Sequence, residues 1–176
     1  AITFASAMLA SLAVNAAQAS KGAMTDQPRG RSILYLSYDG MTDPLGQSQV
    51  LPYLAGLSKR GHRISLISFE KPGRSQDERA TVRALCAKAG IDWHPQTYHK
   101  RPPLLSGLFD LAVMRRAAER LHRERRFDWI HCRSDLAALV GLAMKRRHGV
   151  RFLFDMRGFW ADERVDGGLW DLSNPL

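Results

Sequence analysis

Cysteine is scarce in this chain: 176 residues contain two, Cys86 and Cys132, with no Cys-x-x-Cys pair and no metal-ligand spacing. That excludes a disulfide framework and a zinc cluster, and leaves two small apolar thiols suited to a reducing compartment. Glycine is not scarce, but it never falls as Gly-x-Gly-x-x-Gly, so the tight turn of a dinucleotide-binding dehydrogenase is missing. The few aromatics are not interleaved with the arginines, as stacking platforms for single strands would be, and nucleic acid is not an expected partner. Long apolar runs are lacking too. The stretch from Ala1 to Ala19 is broken by Ser6 and Ser11 and falls short of the roughly 20 residues that a membrane-spanning helix needs.

That first stretch does not match the rest of the chain. Asn15-Ala-Ala17-Gln-Ala19-Ser20 resembles the end of a signal peptide with a small-residue cleavage site, yet no initiating methionine or basic leader precedes it. Met24, with a short polar run after it, is the expected true start. Residues 1–31 therefore read as an extension and 32–176 as one domain, long enough, at 45% hydrophobic residues, to bury a core.

Within that domain, strand-like and helix-like patterns alternate. Apolar runs at Ile33–Tyr38, Ile64–Phe69, Ile91–His94, Phe127–Cys132 and Val150–Asp155 predict five strands. Between them, helical spacing places Val50, Leu51, Leu54 and Leu57 on one stripe, then Val82, Leu85, Cys86 and Ala89, then Leu111, Met114, Ala118 and Leu121, then Leu136, Leu139, Val140 and Ala143. Ser75 with Glu78 predicts a capping box, and Ser134 a cap for the last helix. Five strands separated by four helices give an α/β fold, a Rossmann-like, doubly wound parallel sheet.

Two strand ends are unusually polar. The first runs into Asp39-Gly40-Met-Thr-Asp43-Pro-Leu-Gly46-Gln47-Ser48-Gln49, and the last stops at Asp155-Met-Arg157-Gly158-Phe-Trp160. In open α/β sheets ligands bind outside the carboxyl ends of the strands, so both loops are expected to face one crevice. The fourth strand adds Ile130-His131-Cys132-Arg133-Ser134 at the same edge.

In their order and spacing these residues resemble the amino-terminal, acceptor-side domain of family 4 glycosyltransferases, enzymes of two Rossmann-like domains known as the GT-B architecture. The resemblance covers roughly residues 32–176 and implies transfer of a sugar from a nucleotide-sugar donor to a glycan or lipid-linked acceptor, with retention of configuration, no cofactor and no metal. It implies a cytoplasmic enzyme, at the inner face of the membrane if the acceptor is lipid-linked. The family's end of strand one approaches the donor pyrophosphate, and the matching positions are Gly46 and Gln47. His131, Arg133, Gly158 and Trp160 match the acceptor cleft, and Trp170 is a further candidate for stacking on an acceptor ring. Where relatives carry a histidine before the glycine of the last turn, this chain has Arg157, and Asp155 with Arg157 are the candidate catalytic pair. The resemblance also implies that the chain is a fragment, inactive alone, with nucleotide-sugar contacts on a second domain.

The charge of +9 is concentrated. Lys100, Arg101, Arg115, Arg116, Arg120, Arg123, Arg125 and Arg126 cluster on the third helix and the loop before it, and Lys145, Arg146, Arg147 and His148 end the fourth. Either these form a solvated helix face or residues 106–126 meet an anionic membrane. The alternative function, from a different class, is a non-catalytic α/β module recruited to anionic surfaces by this helix.

Overall fold

The computed structural model of the chain describes residues 30–102 and 105–157. The extension, Gly158, Trp160 and Trp170 lie outside the described residues.

Five parallel strands form one sheet: β1 (Ser32–Ser37), β2 (Arg63–Glu70), β3 (Ile91–Thr97), β4 (Trp129–Arg133) and β5 (Arg151–Asp155), in the order β3-β2-β1-β4-β5. Helices lie between them in sequence: α1 (Leu51–Lys59), entered through a π-helical turn at Gly46–Val50, then α2 (Gln76–Lys88), α3 (Leu105–Arg125) and α4 (Asp135–His148). Parallel strands need such crossovers, and burial by helices on both faces explains the near-continuous apolar runs of β1 and β2. On one face Tyr35, Ile64 and Leu66 pack under Val50, Leu51 and Leu54 of the first helical segment and Val82 and Cys86 of α2. On the other, Leu34, Leu36, Ile67 and Phe69 meet Met114, Ala118 and Leu121 of α3 and Ala137, Val140 and Met144 of α4.

Details of the expected pattern shift. The buried stripe of α4 is Ala137, Val140, Gly141 and Met144, while Leu139 stands exposed. Approach distance explains the rotation: a Cβ on Gly141 would sit 2.4 Å from Cys132 Sγ and 2.9 Å from the Phe152 ring, so small residues, not the largest apolar ones, mark the face that touches the sheet. Leu85 is likewise exposed, at the rim of an apolar groove between α1 and α2. The Ser75–Glu78 capping box forms as expected. Ser134 makes no side-chain cap bond, because its φ of 74° turns the chain sharply between β4 and α4. β3 extends to Thr97 through Pro95, which the strand tolerates at the edge of the described sheet, where a missing N–H costs no ladder bond. β5, expected as a buried strand, is the opposite edge, and its Leu153 and Phe154 are exposed. Cys86 and Cys132 are both buried free thiols, which burial raises to pKa values of about 11 and about 12.

Candidate functional site

The strand order reverses its direction of growth between β1 and β4: β2 and β3 lie to one side of β1, β4 and β5 to the other. A crevice is expected outside the carboxyl ends at such a switch point. The register puts Ser37, Arg133 and Asp155 in one row across β1, β4 and β5, with Tyr35, His131 and Leu153 in the row behind. Because side chains alternate, His131, Arg133 and Asp155 project from the same face, beside the first helical segment. A cleft of about 640 Å³ opens there, lined by Gln49, Tyr53, His131, Leu153, Asp155 and Arg157.

Arg133 is the organising cation. Its side chain is only 4% exposed; Nε donates to Asp39 Oδ2 at 3.1 Å and Nη2 to Gln49 Oε1 at 3.1 Å, tying β4 to the end of β1 and to the π-helical turn. Among the described residues, Arg133 Nη1 and His131 Nε2 are buried polar atoms with no hydrogen-bond partner. Arg157 Nη2 donates to Asp155 Oδ2 at 2.9 Å, and His131 Nε2 stands 3.6 Å from that same oxygen, too far for a hydrogen bond. Tyr35 and Tyr53 flank the imidazole, with ring centroids 4.5 and 5.6 Å away. Burial raises the Tyr35 hydroxyl to about 12, despite the opposing charge of Arg133.

Burial also holds the His131 imidazole below its usual range; Asp155 pulls the other way, and Arg157 and Arg133 add to the depression. The imidazole is therefore neutral at pH 7. A histidine depressed in the folded state contributes stability that is full above the unfolded pKa, about 6.5, and is lost as pH falls from there through the folded value. His122, depressed first by burial and then by His148 and Arg126, acts in the same direction. The midpoint of thermal unfolding should thus fall between pH 7.5 and 5, and fall less steeply in His131→Gln. Identical slopes for the two proteins would remove His131 from the acid response.

The structure brings His131, Asp155 and Arg157 to one crevice, with Arg133 buried behind them and bonded to Asp39 and to Gln49 of the crevice wall. Gly46 and Gln47 sit elsewhere. The expected loop is helical already at Pro44, and Gly46 is buried because its absent Cβ makes room for the preceding turn: a Cβ would lie 2.3 Å from Gly40 O and 2.7 Å from Met41 Cα. Gln47 donates its backbone N–H to Asp43 O and its side-chain amide to Thr42 O, and lines the apolar groove on the α2 side. From the same helical segment it is Gln49 and Tyr53 that line the crevice. Their spacing of four, a polar and an aromatic residue on one side of an amphipathic helix, was the available sequence signal.

Two buried acids had no such signal. Glu70, fully buried at the end of β2, accepts from the backbone N–H of Met41 at 2.8 Å and of Thr42 at 3.0 Å, and from the hydroxyls of Thr42 at 2.6 Å and Ser68 at 2.7 Å. Asp110, fully buried on α3, accepts from Tyr38 Oη at 2.9 Å and from the backbone N–H of His99 at 3.0 Å, and its other oxygen lies 2.6 Å from His99 Nδ1. Asp43 completes the turn after β1: burial pushes its carboxyl up, but Lys71 at 2.9 Å and Arg74 at 2.5 Å together hold it below the usual range.

Residues 46–174 match the family model of the glycosyl transferase 4-like domain. The fold is similar to that of the glycotransferase of kitacinnamycin, with a TM-score of 0.54 and 16% identity over 80% of this chain and 35% of that one. It is also similar to the C-terminal domain of the PF1911 hydrogenase from Pyrococcus furiosus, with a TM-score of 0.51 and 12% identity over 73% of this chain and 95% of that domain. No curated protein sequence matches. This chain thus spans about a third of the transferase's length. A transferase and a hydrogenase domain share the architecture, so the fold alone selects no chemistry. Among the described residues no helix is long and apolar enough to cross a membrane, and no cluster of metal-ligating side chains is present.

Proposed function

Because the chain belongs to the glycosyl transferase 4-like domain family, we propose that it forms the acceptor-side half of a two-domain enzyme that moves a sugar from a nucleotide-sugar donor to a glycan or lipid-linked acceptor. The observation that carries this reading is the convergence of His131, Asp155 and Arg157 on the crevice at the switch point, with buried Arg133 holding Gln49 of its wall. Asp155 can accept from a sugar hydroxyl, and neutral His131 lines the cleft beside it, its Nε2 buried and without a hydrogen-bond partner among the described residues. Arg157 engages Asp155 through Nη2 alone, which leaves the rest of its fork for a phosphate or a ring oxygen. The exposed Arg116, Arg120 and Arg123 of α3 suit contact with an anionic membrane surface where a lipid-linked acceptor resides.

The test is a four-member cycle in the full-length protein, read as turnover of nucleoside-diphosphate hexoses. Arg157→Lys should lose at least about tenfold, because a point ammonium does not reproduce a planar, two-pronged contact. Asp155→Asn should lose a similar factor, and the double variant less than the product of the two, since each acts through the other. The pair itself is half-exposed and holds little fold stability. Rates within twofold of wild type for Arg157→Lys would move the chemistry to other residues.

A further inference from the structure

The turn between β1 and α1 is a built anion site. The backbone N–H groups of Met41 and Thr42 and the Thr42 hydroxyl converge within 3.0 Å of one carboxylate, and the Ser68 hydroxyl, itself bonded to Trp93 Nε1 at 2.8 Å, closes the far side. Consecutive amides converging in this way are how helix-initiating turns hold phosphate. Here the oxygens at the centre belong to Glu70. Gly40 lacks a side chain at the closest approach, where a Cβ would lie 2.9 Å from both Glu70 Oε2 and Phe69 O.

We propose that Glu70 is the resident anion of this turn, so that the amides of Met41 and Thr42 hold the protein's own carboxylate and not a ligand's phosphate. Glu70 is then a positioning residue for the crevice. The turn it fixes carries Asp39 to Arg133 at one end and Asp43 to Lys71 and Arg74 at the other, so one buried carboxylate sets the place of both acids. Leaving such a group without these donors would cost far more than folding tolerates, which is why four converge on it. The assignment holds whatever the crevice binds.

Glu70→Ala empties the site while leaving its donors in place. Its unfolding midpoint should fall by roughly 10 °C, and sodium formate should recover at least about 2 °C of that in a concentration-dependent way, while sodium chloride at equal ionic strength does not. Amide resonances of Met41 and Thr42 should move on addition of formate or inorganic phosphate to the variant and stay fixed in wild type. Should Glu70→Ala not fold, Glu70→Gln keeps the volume but opposes an NH2 to one donor, and one of the two amides should exchange with solvent at least about tenfold faster than in wild type. Saturable movement of the wild-type Met41 and Thr42 amides by phosphate would overturn the proposal. So would formate that rescues no better than chloride, or equal exchange in wild type and Glu70→Gln.

Discussion

Gly46→Val should unfold this domain before it tells anything about a ligand, with a loss of about 3 kcal/mol or more. The first added carbon already meets Gly40 O at 2.3 Å and Met41 Cα at 2.7 Å, and both are backbone atoms of a turn pinned by Glu70. Overpacking a core costs about 1–3 kcal/mol when side chains can yield, and here no flexible side chain stands in the way to yield. Gly56, in the same helical segment, is the control: nothing lies within 4 Å of its would-be Cβ, so Gly56→Ala should gain about 0.5–1 kcal/mol from the lower backbone entropy of alanine. Denaturant unfolding of the two variants decides the matter. A Gly46→Val protein as stable as wild type but devoid of turnover would instead place Gly46 against a substrate.

Asp110→Ala should cost a comparable amount, about 3 kcal/mol, although no step of the proposed reaction uses it. Three donors would lose their acceptor at once: the Tyr38 hydroxyl, the His99 backbone N–H and the His99 ring. Each buried donor left unpaired costs about 1–3 kcal/mol, less whatever water reaches the half-exposed His99. The Tyr38 hydroxyl reports the change. Its pKa is pushed up, first by burial and then by donating to Asp110, so it should drop in the variant. Asp110→Asn, which keeps an acceptor oxygen, should fall between wild type and alanine. A cost below about 0.5 kcal/mol for Asp110→Ala would mean that the loop from β3 to α3 refolds around the loss.

Much of this architecture was legible in the sequence because it rests on periodicity. All five strands and four helices came from apolar runs and helical stripes; Asp155 and Arg157 were singled out where the last strand turns polar, and His131 and Arg133 near the end of the fourth, with their roles taken from the family resemblance. What stayed hidden depends on approach across the chain. Gly46 reads as loop glycine until Gly40 and Met41 are seen beneath it. Glu70 reads as one more surface acid beside Lys71 until its four donors arrive from β1's turn and from Ser68. Ala137 and Gly141 carry too little hydrophobicity to outvote Leu136 and Leu139, yet they are what lets α4 close on Cys132.

The central place of β1 has a consequence in time. Ser32, at its start, pairs with Asp128, 96 residues later, whereas its other edge meets β2 after a single crossover. On a chain emerging amino terminus first, β1, β2 and β3 can assemble early, but one side of β1 stays bare until Trp129–Arg133 has been made. An open strand edge invites pairing with other chains, and distant pairing is slow because a long loop must close before any contact rewards it. Codons between β3 and β4 that slow translation would lengthen that bare interval, so the fraction of nascent protein lost to aggregation should rise as synthesis across residues 98–128 slows.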